Sequence, residues 1–155
     1  MRPLFFSLLF VFISCQNPTQ NIQESDYSND FSKTFIGHHN GYSEAVIVQS
    51  NSIKTIYISG QVGEGENFEA QLRDALSKLF KTLDDSGATF KDVVKYNTYI
   101  VDYQPAYLDT FRRVRKELLG DSDMPASTLV GVDALGLPSW GVEIEATALV
   151  KVLEE

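Results

Sequence analysis

Three sets of side chains in this sequence are of types that do chemistry, and their spacing limits what each can do. His38 and His39 are the only two histidines. Neighbours in an extended chain point to opposite sides, and no further ligand stands at metal-site spacing, so they read as surface side chains. Arg112, Arg113, Arg115 and Lys116 crowd one short run. That run would suit an anion, but its helical spacing reads as a solvated face. Cys15 is the sole cysteine, which excludes an internal disulfide and a cysteine-ligated metal. No nucleophile stands beside a base at a telling interval, and no phosphate loop or metal motif is present. Residue types alone do not specify a reaction.

The elements that must position these residues are easier to read. Residues 142–152 alternate strictly: Val142, Ile144, Ala146, Ala148, Val150 and Val152 share one face of a strand. Glu143, Glu145, Thr147 and Lys151 fall on the other. Ser127 to Val132 is a second strand, rich in β-branched residues, with Gly136, Pro138 and Gly141 in the connection. An apolar strand face of that length needs a covering layer. Two amphipathic helices supply it. Asn67 is placed to cap the first, which runs to about Ser86 with Phe68, Leu72, Ala75, Leu76, Leu79 and Leu83 on one face and Gly87 beyond its end. The second spans about 105–119, with Pro105 in its first turn, a stripe of Tyr107, Leu108, Phe111, Val114 and Leu118, and Gly120 as its stop.

Three more strands complete the set. Residues 41–48 and 53–60 form a hairpin through 49–52, and 93–101 follows the first helix. In that last strand Val93, Tyr99 and Val101 are expected on one face and Val94, Tyr96 and Ile100 on the other. The order is β-β-α-β-α-β-β, an α+β domain with a mixed sheet and both helices on one face. Strands with apolar residues on both sides imply that the second sheet face is also covered, most simply by other copies of the chain.

Composition and the N-terminus bound the setting. At 155 residues, with 43% hydrophobic and 22% charged, the chain fits one globular domain rather than a disordered one. Residues 1–14 read as a signal peptide: Arg2 is its positive start, and the apolar run 4–13 is too short to span a bilayer. Phe12-Ile13-Ser14-Cys15 resembles a bacterial lipobox, so Cys15 is expected to become a lipidated N-terminus that anchors the protein to a membrane. Export to the periplasm or cell surface follows from that reading, with a plain secretory signal as the alternative. Residues 15–34 are polar and read as a tether, reaching about 25 Å as a flexible coil, before a domain over 35–155. The net charge is −8, and removing the leader makes the chain more acidic by one unit. Such a surface repels phosphate backbones, which excludes nucleic acid as a partner.

Several short stretches, in order, carry a family resemblance. Ile58-Ser59-Gly60-Gln61, Gly87-Ala88, Asp92-Val93-Val94-Lys95, Pro125-Ala126-Ser127-Thr128 and Val142-Glu143-Ile144-Glu145-Ala146 together resemble the Rid family of reactive-intermediate deaminases, also called YjgF or L-PSP. The resemblance covers about 41–153. It implies the chorismate-mutase-like fold and a homotrimer holding a small-molecule ligand in inter-subunit clefts. It also implies hydrolysis of reactive imines or enamines to a keto compound and ammonia, without cofactor or metal. Tyr42, Ser59 and Gly60 match substrate-binding positions, and Glu143 matches the cleft glutamate that helps place the water. Ser127 is the departure, standing where deaminating members carry the arginine that grips a substrate carboxylate. A serine hydroxyl cannot replace a guanidinium fork. Phe111 also falls where many members have asparagine. The expected function is therefore a deaminase of altered specificity, the alternative being a non-catalytic ligand-binding trimer at a membrane surface.

Overall fold

The structure, a computed structural model, describes residues 31–120 and 123–152. The leader, Cys15 and all but the last four tether residues lie outside the described residues. The elements are β1 (Phe31–His38), β2 (Ser43–Ser50), β3 (Ile53–Val62), α1 (Phe68–Asp85), β4 (Val93–Val101), α2 (Tyr107–Leu119), β5 (Ala126–Val132) and β6 (Val142–Lys151). They build one six-stranded sheet in the order β1-β2-β3-β6-β4-β5. Only β4 and β5 pair in parallel, with α2 as the crossover between them. The α+β architecture with two helices is thus the one expected, with one strand added.

That strand is β1. It pairs antiparallel with β2, turning back through Asn40-Gly41, where Gly41 takes φ +101° and the His39 amide donates to the Tyr42 carbonyl at 2.9 Å. A side chain at 41 would strain this turn. Among the described residues the sheet includes residues 31–34, which the sequence pattern assigns to the tether. Asn-Gly between strand-like runs is a hairpin signal, but β1 is an edge strand and almost wholly exposed. Its alternation carries little apolar content to read.

The first helix lies where the spacing puts it, whereas α2 begins only at Tyr107, so Pro105 stands in the turn before the helix and not in its first turn. The Asn67 side chain accepts the Ala70 amide at 3.0 Å. At the far end of α1, Gly87 takes φ +72° while the Gly87 and Ala88 amides donate to the Asp84 and Leu83 carbonyls. Leu72, Ala75, Leu76, Leu79 and Leu83 are buried against β3 and β6, each leucine contributing on the order of 2 kcal/mol. From α2 only Phe111 and Val114 are buried; Leu118 is exposed, lining a surface cleft with Phe80 and Phe90. One core joins both helices to Ala45, Ile47, Ile56, Ile58, Tyr96, Val142, Ile144, Ala146 and Ala148.

Two irregularities change which residues face that core. Between Val93 and Lys95 the β4–β6 register shifts, so Val93 sits on the core side with Tyr96 and Ile100 instead of with Tyr99 and Val101. Between Ile58 and Gln61 of β3, two residues, Ser59 and Gly60, stand opposite the single Glu145 of β6.

The other sheet face is bare in a single chain. Phe35, Val46, Tyr57 and Thr147 form a cross-strand row on it, with Phe35 60% and Tyr57 53% exposed. Ile53 and Leu149 are exposed nearby. Apolar patches of this kind mark association surfaces. The protein without residues 1–15 is expected to sediment as an oligomer at micromolar concentration, and Tyr57→Glu to shift it toward smaller species. A wild-type monomer under those conditions would count against that role for the face.

Candidate functional site

The bulge at the end of β3 and the start of β6 form the floor of a cleft of about 490 Å³. Gly60 and Glu143 meet there. A Cβ built on Gly60 would lie 1.6 Å from Glu143 Oε1 and 2.8 Å from its Cγ, so the carboxyl rests directly on backbone. Gly60 does not take a left-handed conformation. Its missing side chain serves this close approach and not a turn.

The Glu143 carboxyl is pushed above its ordinary range, chiefly by burial and further by the charge of Glu145 on the same face. Glu145 is itself held in place, accepting from Asn97 Nδ2 at 2.8 Å and from the Tyr99 hydroxyl at 2.9 Å. That bond to an anion raises the Tyr99 phenol as well. Glu143 therefore holds its proton to higher pH than a solvated glutamate does.

The cleft walls come from four elements. Tyr42 enters from the β1–β2 hairpin, stacked on His39 with ring centroids 4.7 Å apart. Glu44 of β2 accepts from Gln61 Nε2 at 2.9 Å and lies 2.6 Å from His39 Nε2. Gln61 in turn accepts from Thr82 of α1 at 3.3 Å, which ties the bulge to the helix layer. Trp140 closes one side ahead of β6. Lys78 reaches over from α1, but its ammonium is engaged by the Val62 carbonyl at 2.9 Å, Asp74 at 2.8 Å and Glu64 at 3.5 Å. Asp74 is held below the usual carboxylate range, first by Lys78 and then by the Glu64 amide.

Tyr42, Ser59, Gly60 and Glu143 therefore converge in one cleft. The Ser59 hydroxyl donates to the Ser43 carbonyl at 2.6 Å, bracing the bulge against β2. Ser127 does not join them within one chain: it lies exposed on edge strand β5, opposite Tyr96, with β4 between it and β6. Phe111 is buried in the core. Glu44, Glu64, Lys78 and Trp140 were not singled out from the sequence. Glu44 stands two residues after Tyr42, on the same face of its strand, which is the signal that could have found it.

The basic run of α2 braces the helices. Arg113 bonds Glu69 of α1 at 2.6 Å and Glu117 at 3.2 Å, Arg73 bonds both glutamates, and Arg112 pairs with Asp109 at 3.8 Å. The Glu69 carboxyl falls to about 2, led by its hydrogen bonds to Arg113 and Arg73. Arg115 lies over the Phe111 ring, 5.6 Å from its centroid. Among the described residues no group of three His, Cys, Asp or Glu side chains is arranged to hold a metal ion.

The family model described as Endoribonuclease L-PSP matches residues 32–150. This chain belongs to the L-PSP, or Rid, family. Its relatives include "RutC family protein YjgH" of Escherichia coli (strain K12), 27% identical over 77% of this chain and 92% of that protein. Another is the "2-iminobutanoate/2-iminopropanoate deaminase" of Dermatophagoides farinae, 34% identical over 71% of this chain and 86% of the relative. The crystal structure of Rv2704 from Mycobacterium tuberculosis, a member of the YjgF/YER057c/UK114 family, superposes with a TM-score of 0.65. It is 31% identical, over 77% of this chain and 100% of that one.

In this Rid protein the state of Glu143 has a consequence for stability. The folded chain holds the carboxyl above its ordinary value, so the native state keeps a proton that the unfolded chain releases. Stability attributable to this group is present below the ordinary glutamate value and falls as pH rises through the native one. Glu143→Gln is expected to unfold at a higher temperature than wild type at neutral pH and to match it in acid. Gly60→Ala should leave the fold intact but swing the carboxyl away, returning its titration toward the ordinary range, as read by carboxyl NMR. Equal melting temperatures at neutral pH would mark Glu143 as an ordinary solvated carboxylate.

Proposed function

We propose that the cleft hydrolyses a reactive imine or enamine to the keto compound and ammonia, with a specificity set by the loss of arginine at position 127. The observation that carries this reading is the raised Glu143 carboxyl resting on Gly60 in a cavity large enough for a small molecule. One such group can serve twice. In its protonated form it gives its proton to the imine nitrogen. As carboxylate it takes a proton from the water that attacks the imine carbon, giving a carbinolamine. It then returns that proton to the amine nitrogen and receives the hydroxyl proton as the C–N bond breaks and ammonia leaves. Atoms and charge balance without a cofactor. A 2-imino acid would also need a cation for its carboxylate. Serine at 127 supplies none, and Lys78 is already bound by three oxygens.

The reading includes an assembly. The bare sheet face argues for a closed oligomer, and the family resemblance makes that a homotrimer, whose neighbouring subunits would complete each cleft. The substrate's partner surface would then include residues of edge strand β5. A non-catalytic trimer is the second reading, favoured by the Ser59 hydroxyl, which is already committed to Ser43.

Ammonia release from freshly generated imines separates the readings. Wild type should hydrolyse imines without a carboxylate, and Glu143→Gln should lower that rate by about 10²-fold or more. Ser127→Arg should raise turnover of 2-imino acids by one to two decades, since a charge-assisted bidentate contact contributes roughly 1.5–3 kcal/mol. Rapid deamination of 2-imino acids by the unmodified protein would overturn the specificity argument, and binding without turnover of any imine would establish the second reading.

We also infer export and lipid anchoring through Cys15, supported by the apolar leader and the Phe12-Ile13-Ser14-Cys15 stretch. Cys15→Ala should move the protein from the membrane to the soluble fraction. Unchanged membrane association would remove the anchor from the account.

A further inference from the structure

The cleft has a charge and a surface chemistry that select among ligands. Three carboxylates line it, Glu44, Glu64 and Glu143, against one cation, Lys78. Lys78 offers three N–H donors, and Val62, Asp74 and Glu64 supply three acceptors within 3.5 Å. Its charge is spent locally. Glu44 is held in place by Gln61, which donates to it at 2.9 Å, and by His39 at 2.6 Å. Independently of these charges, two aromatic side chains, Tyr42 and Trp140, line the same cavity, and stacking on His39 fixes the plane of Tyr42. Aromatic faces beside carboxylates form the environment that attracts organic cations. It repels a carboxylate ligand, which would enter with no counter-charge.

We infer that this cleft takes a positively charged amine-derived compound, an ammonium or iminium carrying no carboxylate. This rests on the reading that the cleft is the ligand site. It narrows the substrate class from imines in general to those whose nitrogen, or a second amine, is cationic at neutral pH. A bound iminium enters already protonated, so its charged nitrogen lies beside Glu143 as carboxylate, which then takes a proton from the attacking water, while its apolar part rests on the aromatic walls.

The chain has a single tryptophan. It is Trp140, which lines this cavity and a smaller one beside Phe68 and Tyr107, so its fluorescence responds to a ligand here and the Glu64 variant below assigns the response to this cavity. Three probes of nearly equal shape differ in charge: benzylammonium, benzyl alcohol and benzoate. Titrated into the intact oligomer, benzylammonium should change the fluorescence saturably and bind at least about tenfold more tightly than benzoate, a preference that shrinks as salt is added. Glu64, whose side chain is 85% exposed, can be reversed without disturbing the core. Glu64→Lys should reduce the preference several-fold.

Benzoate binding as tightly as benzylammonium, or no binding of either at millimolar concentration, overturns the inference. The hydrolase reading fails separately. Ammonia released from a neutral imine, with no charge preference among the probes, would sink the cation inference and leave the hydrolase. A clear preference for benzylammonium without turnover of any imine would leave the cation site and remove the hydrolase.

Discussion

The contact on which the site depends is between a carboxyl group and a residue with no side chain. Two residues of β3 stand where β6 offers one, and this bulge places Gly60 beneath Glu143. The same bulge restores the core phase of β3, so that Ile58 and Gln61 are both buried although three positions apart. Strict alternation would have put Gln61 on the opposite face. Because it points inward, Gln61 can join Thr82 of α1 to Glu44 of β2. The packing of the helix layer and the shape of the cleft are therefore set by one local departure from regular pairing. Filling position 60 with a methyl group alters the site before it alters the fold, since what it meets is the end of a flexible side chain.

Much of the fold was legible because its periodicities are strong. The β6 alternation is buried residue by residue as far as Ala148, and α1 begins at its asparagine cap and ends at Gly87. Those signals come from neighbours in sequence. What was not legible came from pairing. Val93 changes face because of a register shift against β6, which no pattern within 93–101 contains. β1 escaped notice because an exposed edge strand has little to bury, and the Asn40-Gly41 pair was a better guide than its hydrophobicity. Leu118 has the right helical spacing but is exposed, because spacing marks a face and not whether anything covers it.

The site divides in the same way. Glu143, Ser59, Gly60 and Tyr42 could be named from the family resemblance, but nothing local to each residue says that they meet. That follows from β3 lying between β2 and β6. The walls contributed by Glu44, Glu64, Lys78 and Trp140 had no motif to mark them, and Lys78 belongs to a helix whose polar face reads as plain solvent exposure. Ser127 shows the limit of a single chain. Its strand is separated from β6 by β4, so a contact with this cleft would have to come across a subunit boundary.

Charge links these observations. Burial and Glu145 keep a proton on Glu143 longer than water would, which suits a group that must donate before it accepts. A guanidinium brought into the cleft would stabilise the carboxylate and draw its titration downward. An arginine grip and a raised Glu143 therefore oppose each other unless a bound anion screens them. With Lys78 engaged by its neighbours, no side chain among those lining the described cleft opposes the rise. The charge of Glu145, which adds to burial in holding the proton on Glu143, also disfavours an anion beside it. The raised Glu143 and the preference proposed for a cationic ligand are thus compatible: neither needs a guanidinium in the cleft.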